Sequence, residues 1–277
     1  MQYGPQYGHG YAFPHPAPPD PPERPEGIPG YPRWPVWYGP AAFGIGLVGT
    51  LVAATIVAVI DRGELGPTGL LVATVLQGIA FMGAALLFAA RTERPRAAHF
   101  GLRRARFWPT LGWAALGYLA YWIAAAVYSL FVGGEADQQV LDELHVDDST
   151  LRLVAASALV IVVAPIAEEF FFRGFFYRAL RTRLTVWVAA LLDGVLFGLI
   201  HAGGTDLKAL PVLAVLGFIF CLVYERTGTL FAPIGLHALN NTLVMGVVTE
   251  EWGVTWAVGG TMLAACMVVP RMLDQRA

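Results

Sequence analysis

Long apolar stretches separated by short polar connections make up most of this chain. Each stretch approaches the roughly 20 residues that an α-helix needs to cross a bilayer. There are eight such stretches; the sixth and eighth along the chain are short, and the fourth is long enough to be tilted or to extend beyond the bilayer. The pattern predicts an all-α fold: a polytopic membrane helix bundle with about eight transmembrane helices. These are approximately Pro40–Ile60, Gly69–Ala90, Pro109–Val132, Leu151–Leu180, Val186–Ala202, Ala209–Tyr224, Thr229–Val248 and Val254–Val269.

The composition agrees with a membrane protein. Of the 277 residues, 56% are hydrophobic and 14% are charged, and the mean hydropathy is +0.57. A soluble domain has about 25% charged residues. Cys221 and Cys266 both fall in apolar segments far apart in sequence, so we expect no disulfide framework.

The first 37 residues differ from the rest of the chain. They are rich in Pro, Gly and Tyr and show no apolar periodicity, so this segment cannot bury enough surface to fold. It also lacks the basic start and short apolar core of a cleavable signal peptide. The sequence predicts a disordered cytoplasmic tail at residues 1–37, with a docking segment for an aromatic groove as the alternative. A transmembrane helical domain at residues 38–277 follows.

The distribution of arginine predicts the orientation, because loops on the cytoplasmic side of a membrane are enriched in Lys and Arg. The loop Arg91–Phe107 is rich in arginine, whereas the loop Glu135–Asp148 carries acidic residues and neither lysine nor arginine. Placing the arginine loop inside puts both termini in the cytoplasm, and the later loops alternate without conflict. We expect a multi-pass protein of the plasma membrane.

Two carboxylates and an arginine lie within the fourth predicted helix. A charged residue at the bilayer centre costs about 2.5–3.5 kcal/mol on insertion scales unless it is paired or faces a wet cavity. Glu169 and Arg173 are four residues apart, which puts them on one helix face as an ion pair. Glu168 is turned by about 100° from Glu169 and can face a different neighbour.

Other ionisable or amide side chains fall at a similar predicted depth. With a rise of 1.5 Å per residue, Glu168 and Asn241 each lie about 18 Å from the inner ends of their helices. By the same rise, His201 lies about 22 Å and His237 about 12 Å from the inner ends of theirs. The agreement predicts one shared site. Each residue alone has a plainer explanation, since a membrane histidine or asparagine can serve as a hydrogen bond between helices. Asp193 precedes His201 by two turns and either orients it or makes an interior polar contact.

This set of residues suits water-mediated amide hydrolysis. A carboxylate in a low-dielectric site is a good general base, a histidine can hold the same water, and His and Asn donors can stabilise an oxyanion. Other intramembrane hydrolases do not fit. No serine lies in a G-x-S-x-G context, no H-E-x-x-H is present, and Asp193 is the only aspartate in the membrane core, so an aspartyl dyad is excluded.

Three motifs in this order on successive helices resemble the CAAX protease and bacteriocin-processing (CPBP, Abi) family, which includes the type II CAAX prenyl endopeptidases. The motifs are Glu168-Glu169-x-x-x-Arg173, Phe197-x-x-x-His201 and His237-x-x-x-Asn241, and Thr227-Gly-Thr-Leu also resembles the family pattern. The similarity covers about residues 151–248. It implies an intramembrane endopeptidase in which Glu168 and His201 activate water, while His237 and Asn241 bind the oxyanion.

The resemblance leaves the metal question open, since the family is described both as glutamate proteases and as metalloproteases. Glu168, His201 and His237 could supply three zinc ligands with an open position for water; we favour a metal-free site. The expected partners are a peptide or membrane-protein substrate and the lipid bilayer, with no nucleic acid. The alternatives are a transporter or proton relay that uses the same buried residues, and a non-catalytic member acting as an immunity or scaffold protein.

Overall fold

The computed structural model describes residues 32–62, 66–132, 149–202 and 204–273, and over these ranges the fold is all-helical. The predicted all-α membrane bundle is confirmed. Seven of the described helices are long and apolar enough to cross a membrane, and one further apolar helix is shorter. The helices are α1 (Tyr38–Ile60), α2 (Pro67–Ala89), α3 (Phe107–Val132), α4 (Thr150–Arg181), α5 (Val186–Leu199), α6 (Leu210–Thr227), α7 (Phe231–Thr249) and α8 (Trp252–Leu273).

The outer surface of the bundle is apolar. Leu130 and Phe131 near the end of α3 are 82% and 83% exposed, and α1 carries further exposed Val, Leu and Ile side chains. A contiguous apolar surface of this kind marks contact with a membrane or a partner rather than with water. The chain is therefore a multi-pass membrane protein whose polar groups are gathered inside.

Helix α4 is continuous but contains two wider π-helical turns, at Leu159–Val163 and Phe172–Phe176. Between them runs the α-helical segment Ala164–Phe171, which carries both adjacent glutamates. Single π turns inside α-helices often occur at functional sites. The two turns therefore bracket the segment in which the sequence predicts the chemistry.

Helix α5 is shorter than predicted. The apolar pattern extends to Ala202, but the helix ends at Leu199 after 14 residues, about 21 Å, which is less than the hydrocarbon core of about 30 Å. The chain turns at His201, whose ring accordingly lies at a helix end within the bundle. The predicted segment is therefore present as a shorter apolar helix that ends three residues before Ala202.

Close packing of α5 against α6 depends on Gly194 and Gly198. A Cβ atom at Gly194 would lie 2.6 Å from the carbonyl oxygen of Ala214, and one at Gly198 would lie 2.7 Å from that of Leu210. Helices approach this closely only where small residues line the contact. The pair is a packing face.

The folded bundle begins earlier than residue 38. Residues 1–31, most of the predicted tail, lie outside the described residues, as does the predicted acidic loop Glu135–Asp148. Trp34, however, is only 1% exposed, and its ring lies 5.2 Å from that of Phe100 and 4.8 Å from that of Phe175. An indole buried against two aromatic rings contributes substantial apolar area, so Pro32–Trp37 is part of the bundle.

The arginine-rich connection between α2 and α3 packs against the connection between α6 and α7. The Leu230 N–H donates to the Gly101 carbonyl (2.8 Å) and the Thr229 hydroxyl to the Arg103 carbonyl (2.7 Å). Within this connection, burial lowers the pKa of His99, and its Nδ1 accepts a hydrogen bond from the Arg96 N–H (3.2 Å). The two connections therefore lie on one side of the membrane, as the predicted alternation of loops requires.

Candidate active site

The candidate site is formed where α4, the end of α5, and α7 meet. Glu168 is the central group: its Oε2 atom lies 4.0 Å from His201 Nε2 and 3.8 Å from His237 Nε2. That oxygen is inaccessible and has no hydrogen-bond partner among the described residues. The structure thus brings together three side chains that the sequence placed at one depth on separate helices.

Both histidines present the same ring nitrogen to Glu168 because the other nitrogen is occupied. Nδ1 of His201 lies 2.7 Å from the Phe197 carbonyl, and Nδ1 of His237 lies 2.9 Å from Glu169 Oε1. A carbonyl and an ionised carboxylate can only accept, so each Nδ1 carries the proton. In the neutral ring each Nε2 therefore offers a lone pair, and the two lone pairs face one carboxylate oxygen.

Glu169 connects this site to a buried ion pair. Its Oε1 accepts a 2.9 Å hydrogen bond from Arg173 Nη1, and both side chains are 0% exposed. The guanidinium also donates from Nη2 to the Gly217 carbonyl at 2.8 Å. It lies 4.4 Å from the centre of the Phe197 ring, a cation–π distance. The predicted pair is present, and Glu169 in addition holds His237.

Asp193 belongs to the same buried group and not to His201. Its Oδ1 lies 3.5 Å from Arg173 Nε and accepts a 3.1 Å hydrogen bond from the Cys221 thiol. A single guanidinium therefore lies between two carboxylates in a fully buried setting. Of the two alternatives for Asp193, the structure shows the interior polar contact: the aspartate supports Arg173, which supports Glu169.

Asn241 is held by the first π turn of α4. Its Nδ2 donates to the Val160 carbonyl at 2.8 Å. A π turn would pair that carbonyl with the N–H five residues on, but that residue is Pro165, which has no N–H. The proline therefore leaves an acceptor for the asparagine amide, and the second hydrogen of Nδ2 stays available to another acceptor.

The zinc hypothesis can be tested against the distances. Two histidines and a glutamate are a known donor set for catalytic zinc. Ligands on a tetrahedral zinc ion lie about 3.4 Å from one another, given bond lengths of 2.0–2.2 Å, whereas the Nε2 atoms lie 3.8 and 4.0 Å from Glu168 Oε2. Over the described ranges no three His, Cys, Asp or Glu side chains have the geometry of a metal site. The donor types fit zinc, and in this structure their spacing is about 0.4–0.6 Å wider than that of ligands on a bound ion.

Comparison with known proteins supports the family suggested by the motifs. Residues 150–243 match the family described as type II CAAX prenyl endopeptidase Rce1-like, which confirms the predicted resemblance over this segment. It includes α4 and α5 and most of α7, the helices that form the site. No solved structure matches the chain significantly.

Curated relatives agree with this match. The chain is 31% identical over 140 residues to a Bacillus subtilis protein named as membrane peptidase YdiL, covering 48% of this chain and 54% of that protein. It is 28% identical over 146 residues to the membrane-embedded CAAX protease MroQ of Staphylococcus aureus, covering 48% and 56%. An uncharacterised 24.3 kDa protein of Escherichia coli is 29% identical over 132 residues, covering 44% and 61%. The chain thus spans about half the length of the curated relatives it matches.

Proposed function

We propose that this protein is an intramembrane endopeptidase that hydrolyses a peptide bond with a water molecule activated by Glu168. The observation that carries the proposal is the Glu168 Oε2 atom, which is buried, has no hydrogen-bond partner among the described residues, and faces two histidine nitrogens. An unpaired carboxylate oxygen inside a membrane protein is costly unless a partner or a water molecule satisfies it, so such an oxygen marks a functional site. A water molecule that enters between these groups when the side chains move apart would satisfy the oxygen and be held for attack.

In this mechanism Glu168 acts as the general base and His201 positions the water. Glu168 takes one proton as the water oxygen attacks the peptide carbonyl carbon, and the His201 Nε2 lone pair accepts the other hydrogen. The tetrahedral intermediate then breaks its C–N bond. Glu168 returns the proton to the leaving amine, which regenerates the base, and the products are a carboxylic acid and an amine. Proton transfer between them then gives a carboxylate and an ammonium group.

His237 and Asn241 are proposed to stabilise the oxyanion. The Glu169 carboxylate, 2.9 Å from His237 Nδ1, orients the ring with Nε2 toward the site. In the imidazolium form, in which both ring nitrogens donate, the Nε2–H would donate to the developing negative charge. The free hydrogen of Asn241 Nδ2 supplies a second donor. Donors fixed in advance stabilise a transition state without reorganisation, and here Glu169 and the Val160 carbonyl hold them.

The role proposed for His237 predicts a partial loss of activity when it is removed. His237→Ala removes one oxyanion donor and is expected to lower the rate by about 10²–10³, leaving measurable turnover. The activity should not respond to a strong chelator. The measurement is hydrolysis of a quenched peptide by the purified wild-type, His201→Ala and His237→Ala proteins, combined with elemental analysis.

A zinc enzyme would behave differently. Glu168, His201 and His237 would be the ligands, and the ion would polarise a bound water. Stoichiometric zinc in the wild type, lost from both histidine variants together with all activity, would contradict the metal-free mechanism.

We propose that both termini lie in the cytoplasm and that the protein resides in the plasma membrane. The support is the arginine-rich connection between α2 and α3. Thr92→Cys in that connection and Ser149→Cys before α4 place thiols at exposed positions on opposite sides of the proposed topology. In intact cells an impermeant thiol reagent is expected to label only Ser149→Cys. Labelling of Thr92→Cys before the membrane is permeabilised would reverse the orientation.

The proposed substrates are peptides or membrane-protein segments that reach the site through the bilayer. Proteomics of membrane and secreted peptides from the host, comparing wild type with Glu168→Ala, tests this. We expect one or a few peptides to be absent from the variant and their uncleaved precursors to accumulate. Identical peptide profiles in the two strains would remove the support for a protease.

A further inference from the structure

A groove between α2, α4 and α5 leads to the candidate site. Glu168 lies in its wall, and so does Ile200, which directly precedes His201. Much of the remaining lining is apolar, with Leu159, Val163 and Phe171 among its members. Polar or small residues complete it, including Thr74, Gln77, Gly78 and Ala164.

Gln77 is the unusual member of this lining. It lies near the middle of α2, is half-buried, and makes no hydrogen bond or ring contact with any residue in the described ranges. Thr74, one turn earlier, is satisfied because its hydroxyl donates to the Leu70 carbonyl (2.9 Å). An unpaired carboxamide in a membrane core is costly unless a cavity, water or ligand receives it.

The depth of Gln77 matches that of Glu168. A Cβ atom on Gly78 would lie 3.0 Å from the Cβ of Ala167, so α2 and α4 touch at this pair of residues. Gln77 directly precedes Gly78 in the sequence, and Glu168 directly follows Ala167. The free amide and the proposed base therefore line the same part of the groove.

We propose that the groove binds a substrate segment in extended conformation and that Gln77 hydrogen-bonds to its backbone next to the bond that is cut. This inference rests on the proposed function. In hydrocarbon, the peptide groups of a helix are hydrogen-bonded within the helix and shielded from attack. Cleavage therefore requires an extended segment, and the N–H and C=O groups of that segment need new hydrogen-bond partners. A carboxamide offers one acceptor and two donors, which complement the C=O and N–H groups of a peptide backbone.

The volume and lining of the groove set the substrate class. The groove encloses about 430 Å³ of empty space, so only a few residues of an extended segment fit beside Glu168. The Leu, Val, Phe and Ile side chains of the walls favour apolar substrate residues. The groove therefore selects a short unwound apolar segment, recognised through its backbone at Gln77.

The test uses Gln77→Met, which keeps the length of the side chain and removes its hydrogen bonds. The matched control is Thr55→Val, which removes a hydroxyl from an exposed position on α1. The probe is an apolar quenched peptide, assayed for KM and kcat with the otherwise wild-type protein and for Kd by fluorescence anisotropy in a Glu168→Gln background. Two lost hydrogen bonds are expected to raise KM and Kd about tenfold with kcat unchanged, since backbone binding is shared by ground and transition states.

Replacing the amides of the peptide one at a time with esters locates the contact. One ester near the scissile bond is expected to weaken binding to the Gln77 protein and to have no effect on the Gln77→Met protein. An unchanged Kd in Gln77→Met, an equal change in Thr55→Val, or esters that weaken both proteins alike would overturn the inference. Because Kd is measured without turnover, it tests the role of Gln77 even where the catalytic proposal fails. Failure of the catalytic proposal would appear separately, as a wild-type protein no more active than Glu168→Gln.

Discussion

Glu168→Gln is expected to lower the rate of peptide hydrolysis by about 10²–10⁴, the usual contribution of a general base, while the protein stays folded. Glutamine has nearly the same shape but cannot take a proton from water. Glu168 makes no hydrogen bond to another described residue, and its contacts with His201 and His237 are at 3.8–4.0 Å, so no native bond is lost. The measurements are initial rates on a quenched peptide in proteoliposomes, together with the melting temperature and elution profile in detergent.

The matched control for this variant is Glu169→Gln, the same substitution one residue away. Glu169 is 0% exposed and bonds both Arg173 and His237, so its neutralisation should lower stability as well as activity. The two neighbouring glutamates then separate chemistry from structure. A Glu168→Gln protein that aggregates or melts as early as Glu169→Gln would show that Glu168 is a structural residue.

Arg173→Ala is expected to cost about 3–5 kcal/mol of stability, the range for breaking a buried ion pair by removing one partner. Its loss leaves Glu169 and Asp193 as buried carboxylates without their cation and frees the Gly217 carbonyl. The folded yield should fall sharply. Purified yield and the midpoint of unfolding in a denaturing detergent titration measure the effect.

Arg181→Ala provides the comparison, because this arginine pairs with Glu225 in a partly exposed setting, with side chains 15% and 30% exposed. Exposed pairs contribute about 0–1 kcal/mol. Arg181 also donates to the Leu184 carbonyl, so its loss should cost somewhat more than that but less than the loss of the fully buried Arg173. Combining Arg173→Met with Glu169→Gln and Asp193→Asn removes the three charges of this cluster together and should recover part of the lost yield. An Arg173→Ala protein as stable as Arg181→Ala would contradict the role assigned to the buried cluster.

The sequence predicted those features that depend on local spacing. Apolar runs of membrane length predicted the helices, since lipid requires every backbone group to be satisfied within its own segment. The four-residue spacing of Glu169 and Arg173 predicted their pair, and the depths of Glu168, His201 and His237 predicted one site. Each of these inferences uses only helix geometry and the cost of burying charge.

Contacts between helices could not be predicted in the same way. The ion pair of Asp193 with Arg173 and the hydrogen bond between His237 and Glu169 depend on which helix faces meet, and hydropathy does not report that. The burial of Trp34 in a Pro-rich segment follows from two aromatic rings far along the chain. Gln77 stood out neither by charge nor by motif, since a neutral amide barely alters the hydropathy of α2; its significance comes from the groove it lines.

The most direct test of the central claim, that Glu168-activated water hydrolyses a peptide bond in this site, is mass spectrometry of products formed in ¹⁸O-labelled water. Purified wild-type protein in proteoliposomes should convert an apolar peptide into two fragments, with one labelled oxygen in the new carboxylate. Glu168→Gln prepared in parallel should leave the peptide intact. Equal cleavage by the two proteins, or no cleavage by a folded wild type on peptides recovered from the proteomic comparison, would contradict the claim.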